Sequence, residues 1–167
     1  MKSKIIWFTG LSGSGKTTLS NYIYKKLKNK KFRVKKIDGD LFRKKSKSVK
    51  FTKSSIIKNN LSIINQIDKI RKKYDFILVS VISPLKKTRE FARKKFNKYY
   101  YEVHTKCNLK ELISRDTKNL YAKARKNIIK NLIGYNSNIN YESTNYKRII
   151  VNTAKETVKE SSNKIIK

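Results

Sequence analysis

Apolar residues in this chain come in short dense runs, separated by stretches in which they recur every three or four positions. Ile5-Ile6-Trp7-Phe8 and Phe76-Ile77-Leu78-Val79-Ser80-Val81 are runs of strand type. Leu19, Ile23 and Leu27 stand at i, i+4 and i+8, on one face of a helix. The pattern predicts strands over 4–8, 33–37, 76–81, 100–105 and 148–151. It predicts helices over 16–28, 53–73, 85–97, 109–115, 121–130 and 154–166. Strand and helix alternate from end to end, which predicts the α/β class with a doubly wound, parallel five-stranded sheet. Ligands then gather at the carboxyl ends of the strands. Two irregular stretches, 38–52 and 132–145, are long enough to be functional loops. No internal repeat or linker is visible, so residues 1–167 read as a single domain.

Glycine placement sharpens this picture. Three of the five glycines fall in Gly10-Leu11-Ser12-Gly13-Ser14-Gly15-Lys16-Thr17-Thr18, which fits G-x-x-x-x-G-K-[ST], the phosphate-binding loop. Such a loop curls so that successive N–H groups point inward at a phosphate chain. Lys16 can reach the β- and γ-phosphates, and the Thr17 hydroxyl can ligate Mg²⁺. A chance glycine-rich turn is the bland alternative. The strand before the loop and the helix after it weigh against that, since the helix N-terminus supplies further donors and a favourable dipole. Gly39 and the only proline, Pro84, also sit where predicted strands end.

Charge changes the picture less than its size suggests. The formal charge is +32, from 43 Lys and Arg against 11 Asp and Glu. Most of the excess is lysine scattered along the chain, with no basic tail and no ordered aromatics, so it reads as solvated helix faces. Nucleic acid is therefore disfavoured as a partner, while the field still draws small nucleotide polyanions. No stretch approaches the ~18–20 apolar residues of a membrane span. The chain runs from Met1-Lys2-Ser3-Lys4 straight into a strand, so no signal peptide is expected. Cys107 is the single cysteine, which makes a reducing cytoplasm the simplest setting.

The scarcity of acids shortens the search for a base. Asp38-Gly39-Asp40 follows the second predicted strand, on the same sheet edge as the phosphate loop. A carboxylate there could take the proton of an acceptor hydroxyl or hold Mg²⁺ through water. Asp/Gly is also a natural turn. Arg43 could clamp an anion with its forked donors. Ile82-Ser83-Pro84 closes the third strand, with Arg89 beyond it. The segment from Arg115 to Arg125, with Lys118 and Leu120 inside it, reads either as a helical lid over nucleotides or as a surface helix with a basic face.

Together these stretches resemble the adenylylsulfate kinase family of phosphate-loop kinases. The matching residues are Trp7 to Thr18, Asp38 to Arg43, Lys50-Phe51-Thr52, Ile82 to Arg89, Tyr100 to Val103, Arg115 to Arg125, Leu132 to Tyr135, and Tyr141-Glu142. They cover nearly the whole chain in order. The resemblance implies transfer of a phosphoryl group from MgATP to the ribose 3′-hydroxyl of adenylylsulfate. By position, Gly10 to Thr18 would hold the ATP phosphates with Arg115 and Arg125, and Thr17 and Asp40 would hold Mg²⁺. Asp40 would be the acid/base carboxylate, supported by Asp38, with Lys118 as the lid lysine. Arg43, Phe51, Asn59, Ile82, Ser83, Lys118, Leu120 and Leu132 would hold the acceptor. Ser83 matches a serine sometimes labelled a phosphoserine intermediate; direct in-line transfer has no need of one. The resemblance leaves room for a homodimer.

Departures concentrate on the acceptor side. Ile56 and Leu61 stand where the family has arginines, Leu132 where it has a phenylalanine beside the acceptor base, and Asn119 where it has a lid glycine. Two anion contacts and one stacking face are missing from the pattern. A smaller pyrimidine needs less stacking surface, so the sequence leans towards a pyrimidine acceptor such as cytidine diphosphoramidate, served by another branch of the family. Adenylylsulfate is the alternative, and a non-catalytic nucleotide-binding regulator is the alternative of another class.

Overall fold

A computed structural model of the protein describes residues 3–45 and 52–166. Five parallel strands form one sheet in the order β2-β3-β1-β4-β5, with β1 (Lys4–Thr9), β2 (Val34–Asp38), β3 (Phe76–Ser80), β4 (Tyr100–Lys106) and β5 (Ile149–Asn152). This is the α/β class and parallel sheet that the alternation predicts. Strand β1 is central and buried on both sides, which explains why it reads as a continuous apolar run rather than an alternation.

The period of two then divides its side chains between the faces. Ile5 and Trp7 join one core with Ile37, Ile63, Ile67, Ile77, Val79 and Phe96. Helices α3 (Lys53–Ile70) and α4 (Lys86–Phe96) cover that face. Ile6 and Phe8 join the other core with Leu19, Ile23 and Leu27 of α1 (Lys16–Asn29), beside α7 (Val158–Ile165). Each fully buried aliphatic side chain of these cores contributes about 1.5–3 kcal/mol.

Differences from the predicted elements are local. The stretch 38–52, read as a loop, opens with a helix, α2 (Gly39–Lys45), whose N-terminus Asp38 caps by accepting the backbone N–H of Asp40 at 2.9 Å. An Asp-Gly-Asp sequence signals a turn, and here the turn starts a helix. The predicted helix 121–130 stops early: α6 covers Leu120–Arg125, and Asn127 at φ 56° ends it in left-handed backbone. The predicted helix 154–166 starts late, at α7. There Thr157 and Glu160 form a reciprocal cap, each side chain bonding the other's backbone N–H. Between β4 and α6 lies α5 (Leu109–Arg115). The stretch 132–145 is irregular throughout, as expected.

The chain leaves β1 towards β2 on one side of the sheet and leaves β3 towards β4 on the other. The carboxyl ends of β1 and β3 therefore flank the topological switch point, where an open α/β sheet places its ligand crevice.

Candidate active site

Immediately after β1 the backbone turns through the glycine loop. Gly10 has φ 143°, and a Cβ there would lie 2.5 Å from Thr105 Oγ1, so only glycine lets the loop pack on β4. Ser14 Oγ meets Thr105 Oγ1 at 2.7 Å, and Thr105 Oγ1 donates to the carbonyl of Thr9 at 3.0 Å. The loop is thus pinned from beneath. Gly15, at φ 82°, precedes the first residue of α1, so the helix N-terminus opens into the crevice.

That crevice is a cavity of about 340 Å³ lined by Gly13, Gly15, Lys16, Thr17, Thr18, Asp38, Asp40, Arg115 and Lys118, among others. The Lys16 ammonium donates to the carbonyls of Gly10 at 2.9 Å and Leu11 at 2.6 Å. Burial pulls its pKa down to about 8, against the opposing attraction of Asp40. Asp38 and Asp40 divide their work. Asp38 caps α2, accepting from Asp40 and Leu41, whereas the Asp40 carboxylate projects from α2 to an ion pair with Lys118 at 2.5 Å. That pair joins the lid to the floor of the cavity.

The segment after α5 forms the lid. Asp116 accepts the backbone N–H groups of Tyr121 and Ala122 at 3.0 and 2.8 Å, capping α6, and Asn119 takes the left-handed turn at φ 53°. Tyr121 Oη donates to the carbonyl of Ser12 at 2.9 Å, tying the lid to the phosphate loop. Arg115 lines the cavity, bonded to Glu111 at 2.8 Å and to the carbonyl of Thr153 at 2.7 Å. Arg125 stands exposed on α6, outside the residues that line the cavity.

Beside the main cavity lies a smaller one of about 20 Å³, lined by Asp40, Arg43, Ile56, Asn59, Asn60, Ile82, Ser83 and Ile133, among others. Asp40 and Ile82 border both cavities. Desolvation lowers the Arg43 pKa from its usual value. The amide of Asn59 is buried and has no hydrogen-bond partner, a polar group prepared for a ligand or water. Ser83 is buried at φ 44°, its hydroxyl 3.4 Å from Thr88 Oγ1.

Three other sequence-selected residues lie elsewhere. Leu120 and Leu132 pack into an apolar cluster with Leu112, Tyr121 and Ala124 under the lid and line neither cavity. Leu61 packs against the core of the α3 face. Phe51 lies outside the described residues. Sequence reasoning missed Thr153, Glu156, Val158 and Ser161, all of which line the main cavity. Their signal was position: Thr153 directly follows β5, at the same carboxyl edge of the sheet.

The adenylylsulphate kinase family model matches residues 2–152. The chain belongs to the adenylylsulphate kinase family. It is 37% identical over 154 residues to an Archaeoglobus fulgidus protein named "Probable adenylyl-sulfate kinase", covering 92% of this chain and 97% of the relative. It is also 32% identical over 163 residues to the Campylobacter jejuni cytidine diphosphoramidate kinase, covering 98% and 94% of the two chains. Among solved structures, the Mycobacterium tuberculosis APS kinase in complex with AMPPNP and APS superposes with a TM-score of 0.86 at 27% identity, covering 99% of this chain and 96% of that one. This chain is accordingly an adenylylsulfate kinase-like phosphotransferase acting on a hydroxyl acceptor. No helix among the described residues is long and apolar enough to cross a membrane.

Proposed function

We propose that the chain transfers the γ-phosphoryl group of MgATP to the ribose 3′-hydroxyl of adenylylsulfate. The observation that carries this is the position of Asp40, which borders both the phosphate-loop cavity and the smaller cavity beside it. A hydroxyl presented from the smaller cavity would meet the Asp40 carboxylate and the end of a triphosphate laid along the loop.

In this reading the backbone N–H groups from Gly10 to Thr18 cradle the phosphates of ATP, and Lys16 releases its own loop carbonyls to bind them. The Thr17 hydroxyl and the Asp40 carboxylate are hard oxygen donors, suited to a cation that keeps several waters and takes phosphate oxygens. Bound there, Mg²⁺ would neutralise charge on the transferring group. Asp40 orients the acceptor hydroxyl and accepts its proton. Lys118, released from Asp40, lends positive charge to the transferring phosphoryl, and Arg115 holds the donor nucleotide. Arg43, Asn59 and the turn at Ile82-Ser83 hold the acceptor. A cytoplasmic setting, where MgATP is at hand, goes with this activity.

The lean of the sequence towards a pyrimidine has less behind it than adenylylsulfate, which most of the named relatives carry in their names. Leu132 and Leu61 occupy packing positions away from the cavities, so only Ile56 of the three departures borders the acceptor side. The named kinases for adenylylsulfate add support for that acceptor. The test compares kcat/KM for adenylylsulfate and for cytidine diphosphoramidate at matched MgATP, with the new phosphate located by NMR. Adenylylsulfate is expected to be preferred, and a clear preference for the cytidine compound would reverse the assignment.

A further inference from the structure

Behind the smaller cavity lies a buried charged network centred on Arg89. Arg89 of α4 has no solvent exposure and lines neither cavity. Its Nη1 donates to the carbonyl of Ser83 at 2.5 Å and its Nη2 donates to the carbonyl of Glu142. Its Nε faces Glu102 of β4 at 3.4 Å. Glu102 in turn accepts from Tyr146 Oη at 2.5 Å. The ring of Tyr141 covers the guanidinium at 4.8 Å, and Tyr141 Oη meets Thr9 Oγ1 at 3.1 Å.

The two carbonyls belong to two of the four segments that wall the smaller cavity, one containing Ile82-Ser83-Pro84 and the other the stretch 132–145, which supplies Ile133; α2 and α3 supply the rest. Those segments are also joined directly, since the Glu142 N–H donates to the carbonyl of Pro84 at 2.9 Å. Ser83 is a non-glycine residue in left-handed backbone, a conformation that persists only when its surroundings hold it. A forked guanidinium can hold two carbonyls at once; an ammonium on a flexible stem makes a poorer brace.

We propose that Arg89, held by Glu102, is a positioning residue that clamps the acceptor wall in shape. The proposal rests on the acceptor lying against the wall that these segments form beside the smaller cavity. Two variants test it: Arg89→Lys, and Arg89→Met combined with Glu102→Gln, which removes Arg89 together with the charge of Glu102, leaving Arg148, 3.8 Å from the same carboxylate and partly exposed, without that partner. The KM for the acceptor should rise ~tenfold or more, the loss of one or two charged hydrogen bonds, while the KM for ATP and kcat stay within about twofold. Amide hydrogen exchange should quicken at residues 82, 83, 85, 86 and 142 and stay unchanged in the phosphate loop.

Parallel rises in both KM values with faster exchange across the whole sheet would mean a general folding role and overturn the proposal. Unchanged exchange at 82, 83, 85, 86 and 142 would overturn it too, as would faster exchange there with an unchanged acceptor KM. Failure of the wild-type protein to phosphorylate adenylylsulfate would remove that substrate assignment. The exchange comparison would still decide the clamp, and the KM comparison would then use whichever nucleotide the wild type accepts.

Discussion

Lys16 spends its charge on its own loop, bonding the carbonyls of Gly10 and Leu11, and burial lowers its pKa to about 8. A bound polyphosphate favours the ammonium form and raises that pKa again. ATP binding should therefore take up a proton near pH 8 and above, and affinity should fall as pH rises through about 8 and the free lysine loses its charge. Calorimetry in buffers of different ionisation enthalpy measures this directly, and proton-neutral binding at pH 8–9 would contradict it. Asp40 and Asp38 are separable in the same way. Asp38, although it lines the main cavity, is engaged by the backbone of α2, while Asp40 borders both cavities. Asp40→Asn should lower turnover by ~10²–10⁴, the usual contribution of a general base, with ATP binding within a few-fold of wild type. Near-normal turnover would move the proton acceptor elsewhere.

Among the elements, the lid and the stretch 132–145 matter most, because both rest on the phosphate loop. Tyr121 reaches the carbonyl of Ser12, and Gly134, at φ 82°, packs so closely that a Cβ would lie 2.6 Å from Leu11 Cδ2. Gly134→Ala therefore meets both an unfavourable backbone region and a clash with the loop that cradles phosphate. It should cost about 1 kcal/mol or more of stability, read from urea unfolding, and raise the KM for ATP. Unchanged unfolding with an unchanged KM would show that the contact between stretch and loop is slack. The short helix α2 was not legible in the sequence. Its seven residues are too few for a period to show, and Asp-Gly-Asp reads as a turn until the carboxylate of Asp38 is seen capping it.

Across the molecule, a formal charge of +32 surrounds a crevice that takes nucleotide polyanions. Such a field raises the encounter rate and is screened by salt, over about 10 Å at 0.1 M. kcat/KM for both nucleotides should fall steadily as ionic strength rises, with kcat much less affected. A flat dependence of kcat/KM from low to high salt would leave the lysines without a part in substrate capture.

The sequence alone determined the architecture and the phosphate loop that opens onto the main cavity. Apolar runs and helical spacing report burial directly, and a phosphate loop is a local object whose glycines, lysine and threonine lie within nine consecutive residues from Gly10 to Thr18. The smaller cavity could not be read in that way. Its walls come from α2, α3, the turn after β3 and the stretch 132–145, brought together only by the order of strands in the sheet. Whether a departure such as Leu132 or Leu61 faces a ligand or a core depends on the direction of one side chain on an irregular or helical segment. Packing under the lid and against the sheet decided both towards the core. The buried network through Arg89 was equally invisible, because Glu102 and Glu142 lie on separate segments, and they meet Arg89 and the nearby Ser83 carbonyl only when the fourth strand and the stretch 132–145 are folded against α4.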